Sequence, residues 1–136
     1  MKKINFLLLV SMFLMLTGSG VLSGCKKKSS GPTMPTFTVT ATTVQIQNGG
    51  EGLQFYAKCN NTDVKLTKVT LTDPIGTNTT TYNLNGNYFV MNQVFMLEDQ
   101  NSAYTKEIGT WSFSFVGNLT SDGTSFSVGA TLSVGK

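Results

Sequence analysis

Histidine and arginine are both absent from this 136-residue chain, cysteine occurs only twice, and charged side chains make up 12% of it. Without histidine there is no imidazole to serve as the general base of a Ser-His-Asp arrangement or as a metal ligand. Without arginine there is no planar fork that grips phosphate or guanine at two points. The ten lysines do not replace it. Five of them (Lys2, Lys3, Lys26, Lys27 and Lys28) lie in the first 28 residues, so the rest of the chain sets five lysines against all seven acids. That remainder carries a formal charge of −2, whereas the whole chain has +3. With no basic stripe, no nucleic-acid partner is expected.

Long apolar runs are also missing, except at the amino end. Met1-Lys2-Lys3 is basic, and residues 4–16 form a nearly unbroken apolar stretch. Such a length suits the apolar region of a signal peptide, about 7–15 residues, and falls short of the roughly 20 that a spanning helix needs. Small residues then break the run, and Leu22-Ser23-Gly24-Cys25 follows. This tetrapeptide resembles the lipobox of bacterial lipoproteins, in which an apolar residue and two small ones precede a cysteine that is acylated before cleavage. The resemblance implies that residues 1–24 are removed and that Cys25 becomes a lipidated amino terminus. Its membrane partner would be reached through the acyl chains. Two or more such chains anchor stably, since each buried methylene contributes about 0.8 kcal/mol. Residues 26–35 (KKKSSGPTMP) lack apolar periodicity and read as a flexible tether of at most about 35 Å. Together, 25–35 form the lipidated cysteine and its basic tether. Lysine after the cysteine, without an acidic export tag, resembles outer-membrane sorting and implies a periplasm-facing location in the cell envelope.

From residue 36 to 136 the composition is rich in Thr, Ser, Asn and Gly, which suits strands with hydroxyl-rich outer faces. Period-two alternation recurs between turn residues. Phe37, Val39 and Ala41 share one face, after which the phase slips to Val44 and Ile46, as a bulge or a strand divided between two sheets would produce. Leu53, Phe55, Ala57 and Cys59 mark a second strand, and Val69 and Leu71 a third, closed by Asp73-Pro74-Ile75-Gly76. Tyr82 and Leu84 mark a fourth, closed by Asn85-Gly86-Asn87. Trp111, Phe113 and Phe115, then Phe126, Val128, Ala130, Leu132 and Val134, describe a hairpin with one buried face. The runs 109–115 and 68–76 resemble hairpins of bacterial immunoglobulin-like and fibronectin-III-like domains. The expected fold is therefore all-β, a single immunoglobulin-like antiparallel sandwich of about seven strands over 36–136. Its pattern fixes no activity.

Few residues invite chemistry, and no cofactor or metal ion is expected. Glu98 and Asp99 are the only adjacent acids, and neighbours on a strand point to opposite faces. Asp63, Asp73 and Asp122 fall at turns, where they bond the local backbone. Asp99-Gln100-Asn101 is a candidate for calcium. Trp111 reads as core rather than as a sugar platform, and Cys59 as a small buried hydrophobe. Residues 88–97 (YFVMNQVFML) are apolar in both alternating sets. If Phe89, Met91, Phe95 and Leu97 face the core, then Tyr88, Val90, Val94 and Met96 form an outward stripe. The plainer reading is a bend at Asn92-Gln93, with each half burying its own set. An outward stripe would mark an interaction surface, with an envelope protein as a partner. The expected function is thus a non-enzymatic, lipid-anchored accessory of the envelope. Its rival is a carbohydrate- or calcium-binding module, which needs Tyr56, Tyr82, Tyr88 or Tyr104 lining one surface.

Replacing Cys25 by Ser removes the thiol that accepts the lipid while keeping size and polarity nearly unchanged. Mass spectrometry of wild-type protein should find a chain beginning at Cys25 with the added mass of acyl chains, and Cys25→Ser should abolish that species. An unmodified mature protein beginning elsewhere would contradict the lipobox resemblance.

Overall fold

Alternating apolar and hydroxyl side chains fold here into eight strands, seen in a computed structural model that describes residues 31–47, 49–98 and 103–136. Cys25, the signal segment and the three tether lysines lie outside the described residues, as do Asp99, Gln100 and Asn101. The strands are β1 (Phe37–Gln45), β2 (Glu51–Cys59), β3 (Val64–Thr72), β4 (Thr79–Phe89), β5 (Phe95–Met96), β6 (Tyr104–Thr105), β7 (Gly109–Leu119) and β8 (Ser125–Val134). One sheet runs β1-β2, with β5 and β6 both along the far edge of β2, and the other runs β4-β3-β7-β8. Every pairing is antiparallel. The two sheets pack together as a sandwich. It has eight strands rather than about seven because two dipeptide strands share the β2 edge.

Side chains of the two inner faces meet in an aromatic core. Phe37 of β1 stacks on Phe115 of β7 with ring centres 4.0 Å apart. Phe55 of β2 meets Trp111 at 4.9 Å and the edge of Phe113 at 5.2 Å. The edge-on contact of Phe55 with Phe113 suits the ring quadrupoles. The indole N–H of Trp111 donates to the Glu107 carbonyl at 3.0 Å, so its one polar atom is satisfied although only 2% of the residue is exposed. Cys59 is a fully buried free thiol at the end of β2, opposite Phe37.

Two details of the strands differ from the expected pattern. β1 is neither bulged nor divided, because its register with β2 runs unbroken from Phe37↔Cys59 to Gln45↔Glu51. Its phase slips because Val44 lies opposite Gly52, a residue without a side chain, and Ile46 folds over the same gap. A Cβ at position 52 would sit 2.5 Å from the Ile46 side chain. The bulge is in β3 instead, where the register shifts between Leu66 and Lys68. The extra residue, Thr67, explains why Val64 and Leu66 are buried on even numbers but Val69 and Leu71 on odd ones. Asn85-Gly86 does not end the fourth strand either. Both residues take left-handed φ (51° and 78°), kinking β4 beside the bulge, and the strand resumes to pair Asn87, Tyr88 and Phe89 with Leu66, Lys65 and Val64.

Replacing Trp111 with Ala removes the largest ring from this core and should cost about 3–5 kcal/mol in a reversible urea melt. A loss below about 1 kcal/mol would mean that the surrounding rings close the gap or that the indole contributes little.

Candidate functional site

β1 and β3 begin, and β2, β4 and β7 end, at one tip of the sandwich, where the turn from Asn60 to Asp63 organises the neighbouring loops. On one side of that turn the Asn61 side chain clasps the incoming chain. Its amide donates to the Met34 carbonyl at 3.0 Å, and its oxygen accepts from the Thr36 N–H at 2.9 Å. Pro35, between them, is fully buried. On the other side, Asp63 holds the connection between β4 and β5. Its carboxylate accepts from the Tyr88 hydroxyl at 2.6 Å and from the Met91 N–H at 2.8 Å. These two bonds pull the Asp63 carboxyl below its ordinary 3.8, and the same contact raises the Tyr88 phenol above its ordinary 10.0. The Cys59 carbonyl accepts from Asn92 N–H at 2.7 Å, closing the loop against the end of β2.

The expected outward set is distributed as follows. Tyr88, Val90 and Val94 are exposed, Val94 at 60%, while Met96 is partly buried on β5 opposite Tyr56. Met91, placed inward by strict alternation, is exposed instead. The reason is the chain reversal: Asn92 takes a left-handed φ of 64°, and the Gln93 N–H donates to the Val90 carbonyl at 3.0 Å. Phe89 and Phe95, on either side of the reversal, bring their rings to 4.1 Å, and Leu97 is buried. A bend and an exposed set therefore coexist. The exposed side chains belong to a turn, rather than to a stripe along one strand.

Sequence reasoning missed Glu98. The β2 edge is covered by β5 near Ala57 and by β6 near Leu53, which leaves the backbone of Phe55 between them. Leu97 N–H donates to the Phe55 carbonyl at 3.0 Å, and Phe55 N–H donates to Glu98 Oε1 at 2.7 Å. A carboxylate thus stands in for the strand carbonyl that a continuous neighbour would have supplied. Glu98 is 7% exposed, and its Oε2 has no hydrogen-bond partner among the described residues. Burial raises this carboxyl from 4.5 to about 7, against the lowering effect of the Phe55 bond. No spacing in the sequence distinguishes Glu98 from an ordinary solvated acid, because the gap it fills belongs to another strand.

At the opposite end a cleft of about 230 Å³ opens beside Asp73, Asn78, Thr80, Tyr104, Glu107 and Trp111. Its polar groups mostly satisfy one another. Asp73 accepts from the Thr77 and Asn78 backbone N–H groups and from both side chains. Burial raises its carboxyl, but those bonds outweigh burial and leave it below 3.8. Tyr104 shares a hydrogen bond with the Tyr82 hydroxyl, and Glu107 Oε2 has no partner among the described residues. Among the described residues no three Cys, Asp or Glu side chains gather as a metal site would require. No protein-family model, curated protein or solved structure matches the chain.

Glu98 makes stability depend on pH in a definite direction. Its folded value, about 7, lies above the ordinary 4.5, so the folded chain holds the proton more tightly. Its contribution is fully present below 4.5, declines as pH rises towards about 7, and is lost above that. Asp63, Asp73 and Asp122, all lowered from 3.8, act oppositely, and their contributions are lost as pH falls below 3.8. With no histidine in the chain, no other side chain has an ordinary value between pH 5 and pH 7.5. Melting temperature should therefore fall from pH 5 to pH 7.5 in wild-type protein and stay nearly level in Glu98→Gln, whose neutral amide still accepts from Phe55. Equal slopes in both proteins would count against a protonated Glu98.

Proposed function

We propose that this protein is a non-enzymatic, lipid-anchored module of the bacterial cell envelope that binds or supports another envelope component. The observation that carries the reading is the order of basic start, short apolar run, small residues and Leu22-Ser23-Gly24-Cys25. The finer resemblance to immunoglobulin-like and fibronectin-III-like sandwiches is supported by the strand order. β1-β2 with its two short neighbours faces β4-β3-β7-β8, and the last two strands pair in one register from Gly109↔Val134 to Asn118↔Ser125. The surface assigned to the envelope component is the exposed set Tyr88, Val90 and Val94, with Met96 at its margin.

The rival carbohydrate-binding reading is less well supported. Tyr82 and Tyr104 turn inward and bond each other, Tyr88 is at the tip, and Tyr56 lies on the β2 face that alternates with Phe55 and Ala57. These rings do not share one platform for stacking a sugar. In support of a binding or supporting role, the Asp73 carboxylate of the cleft is occupied by the backbone and side chains of Thr77 and Asn78.

Fractionation of the native host tests the reading. The protein should sediment with the outer membrane, resist protease added to intact cells, and be degraded once that membrane is permeabilised. Recovery as a soluble, unacylated protein in the medium or cytoplasm would overturn it.

A further inference from the structure

Seven large apolar side chains stand out as exposed among the described residues, and five of them gather near one turn. Met34 belongs to the entering chain, and Tyr88, Val90, Met91 and Val94 belong to the β4–β5 connection. The turn from Asn60 to Asp63 ties the two groups together, through Asn61 to Met34 and Thr36 and through Asp63 to Tyr88 and Met91. The other two, Ile75 and Ile108, flank Pro74 and Gly109 at the far end of β3 and the start of β7. Strands of nine to eleven residues separate the ends. At about 3.3 Å per residue, that distance is roughly 30 Å.

We propose that this tip rests on the lipid surface, with Met34, Val90, Met91 and Val94 inserted at the headgroup boundary. The inference builds on the lipid-anchored reading above and names the envelope component that its surface meets. Chain geometry favours lipid as the occupant. Met34 lies nine positions after Cys25, a span of about 17 Å as a relaxed coil and about 30 Å fully extended. Buried Pro35 and the Asn61 clasp fix the point from which that span departs, which is the patch itself. Acyl chains on Cys25 therefore hold the patch near the bilayer at an effective concentration in the millimolar range, so a few side chains suffice.

The chemistry of the tip fits an interface between water and hydrocarbon. Tyr88 presents its ring while its hydroxyl is spent on Asp63, as suits an aromatic residue at headgroup depth. The Asp63 carboxylate, the nearest negative charge, is engaged by two donors. Lys65 is exposed directly across the strand from Tyr88, with a long stem that can lie along apolar surface and a charged end that reaches phosphate. Lys26, Lys27 and Lys28 precede the patch in the chain and favour anionic headgroups.

The test uses mature, acylated full-length protein in phosphatidylethanolamine–phosphatidylglycerol vesicles, some made with brominated acyl chains that quench nearby tryptophan. Val94→Trp and Met91→Trp place a reporter on the tip, Ile75→Trp places one at the far end, and buried Trp111 supplies a common background. Tip reporters should lose about half or more of their added emission, from within the roughly 5–10 Å depth to which an interfacial apolar face sinks. The Ile75→Trp reporter should lose almost none. If all three variants float with the vesicles but the tip reporters escape quenching, the proposal fails while anchoring stands. If the wild-type protein does not float at all, anchoring fails and takes the proposal with it. A protein captured by a photoreactive residue at position 94 in native envelopes, without lipid quenching, would also overturn the proposal.

Discussion

Five aromatic rings from facing sheets form the contact on which the rest of this domain depends. Phe37 and Phe55 come from one sheet, and Trp111, Phe113 and Phe115 from the other, with centre separations of 4.0–5.2 Å in the pairs that cross between sheets. A domain of about a hundred residues has little apolar surface to spare, so large rings with few rotatable bonds give the most burial for the conformational entropy lost. Everything else is arranged around this layer. Alternation places hydroxyl residues on the outer faces, the Thr67 bulge keeps both halves of β3 inward, and Gly117 lets β7 pass the bulge. A side chain at 117 would lie 2.2 Å from the Lys65 carbonyl.

Polar side chains then decide how the ends of the sandwich are built. Asn61 and Asp63, two residues apart in one turn, bind separate pieces of chain. Neither forms a charged pair. Both act by offering hydrogen-bond partners to backbone groups that no strand satisfies, which is what buried or partly buried backbone requires. One outcome is that the place where the chain enters and the place where apolar side chains emerge coincide. The proposed contact with lipid is therefore a property of the whole tip, since no single segment of sequence contains it.

Glu98 shows the same economy of backbone satisfaction at greater cost. The β2 edge needs an acceptor at Phe55, and the short strands β5 and β6 leave that position uncovered. A carboxylate fills the place, but its second oxygen is enclosed without a partner among the described residues, and burial of a charge there favours the protonated form. The acceptor at this edge is therefore a group whose charge changes near neutral pH.

The sequence by itself determined the class of fold, since period-two alternation with turn residues leaves few alternatives to a sandwich of antiparallel strands. It also marked the inward faces of the closing hairpin and of β2, because a side chain's face follows from parity along a single strand. It pointed to residues 88–97 as anomalous without saying which of them emerge. Parity fails wherever the chain gains a residue or turns left-handed, so Met91, Val44 and the continuation of β4 past Asn85-Gly86 could be placed only by their neighbours. The alternation in β3 did carry a sign of its bulge, in the step from Val64 and Leu66 to Val69 and Leu71. The clasp of Met34 by Asn61, the hold of Asp63 on the 88–91 loop and the carboxylate at the β2 edge join residues 25 to 43 positions apart. Only the tertiary structure decided these, because each bond depends on which backbone groups the sheets leave unpaired, and that is a property of the assembled sandwich rather than of any segment within it.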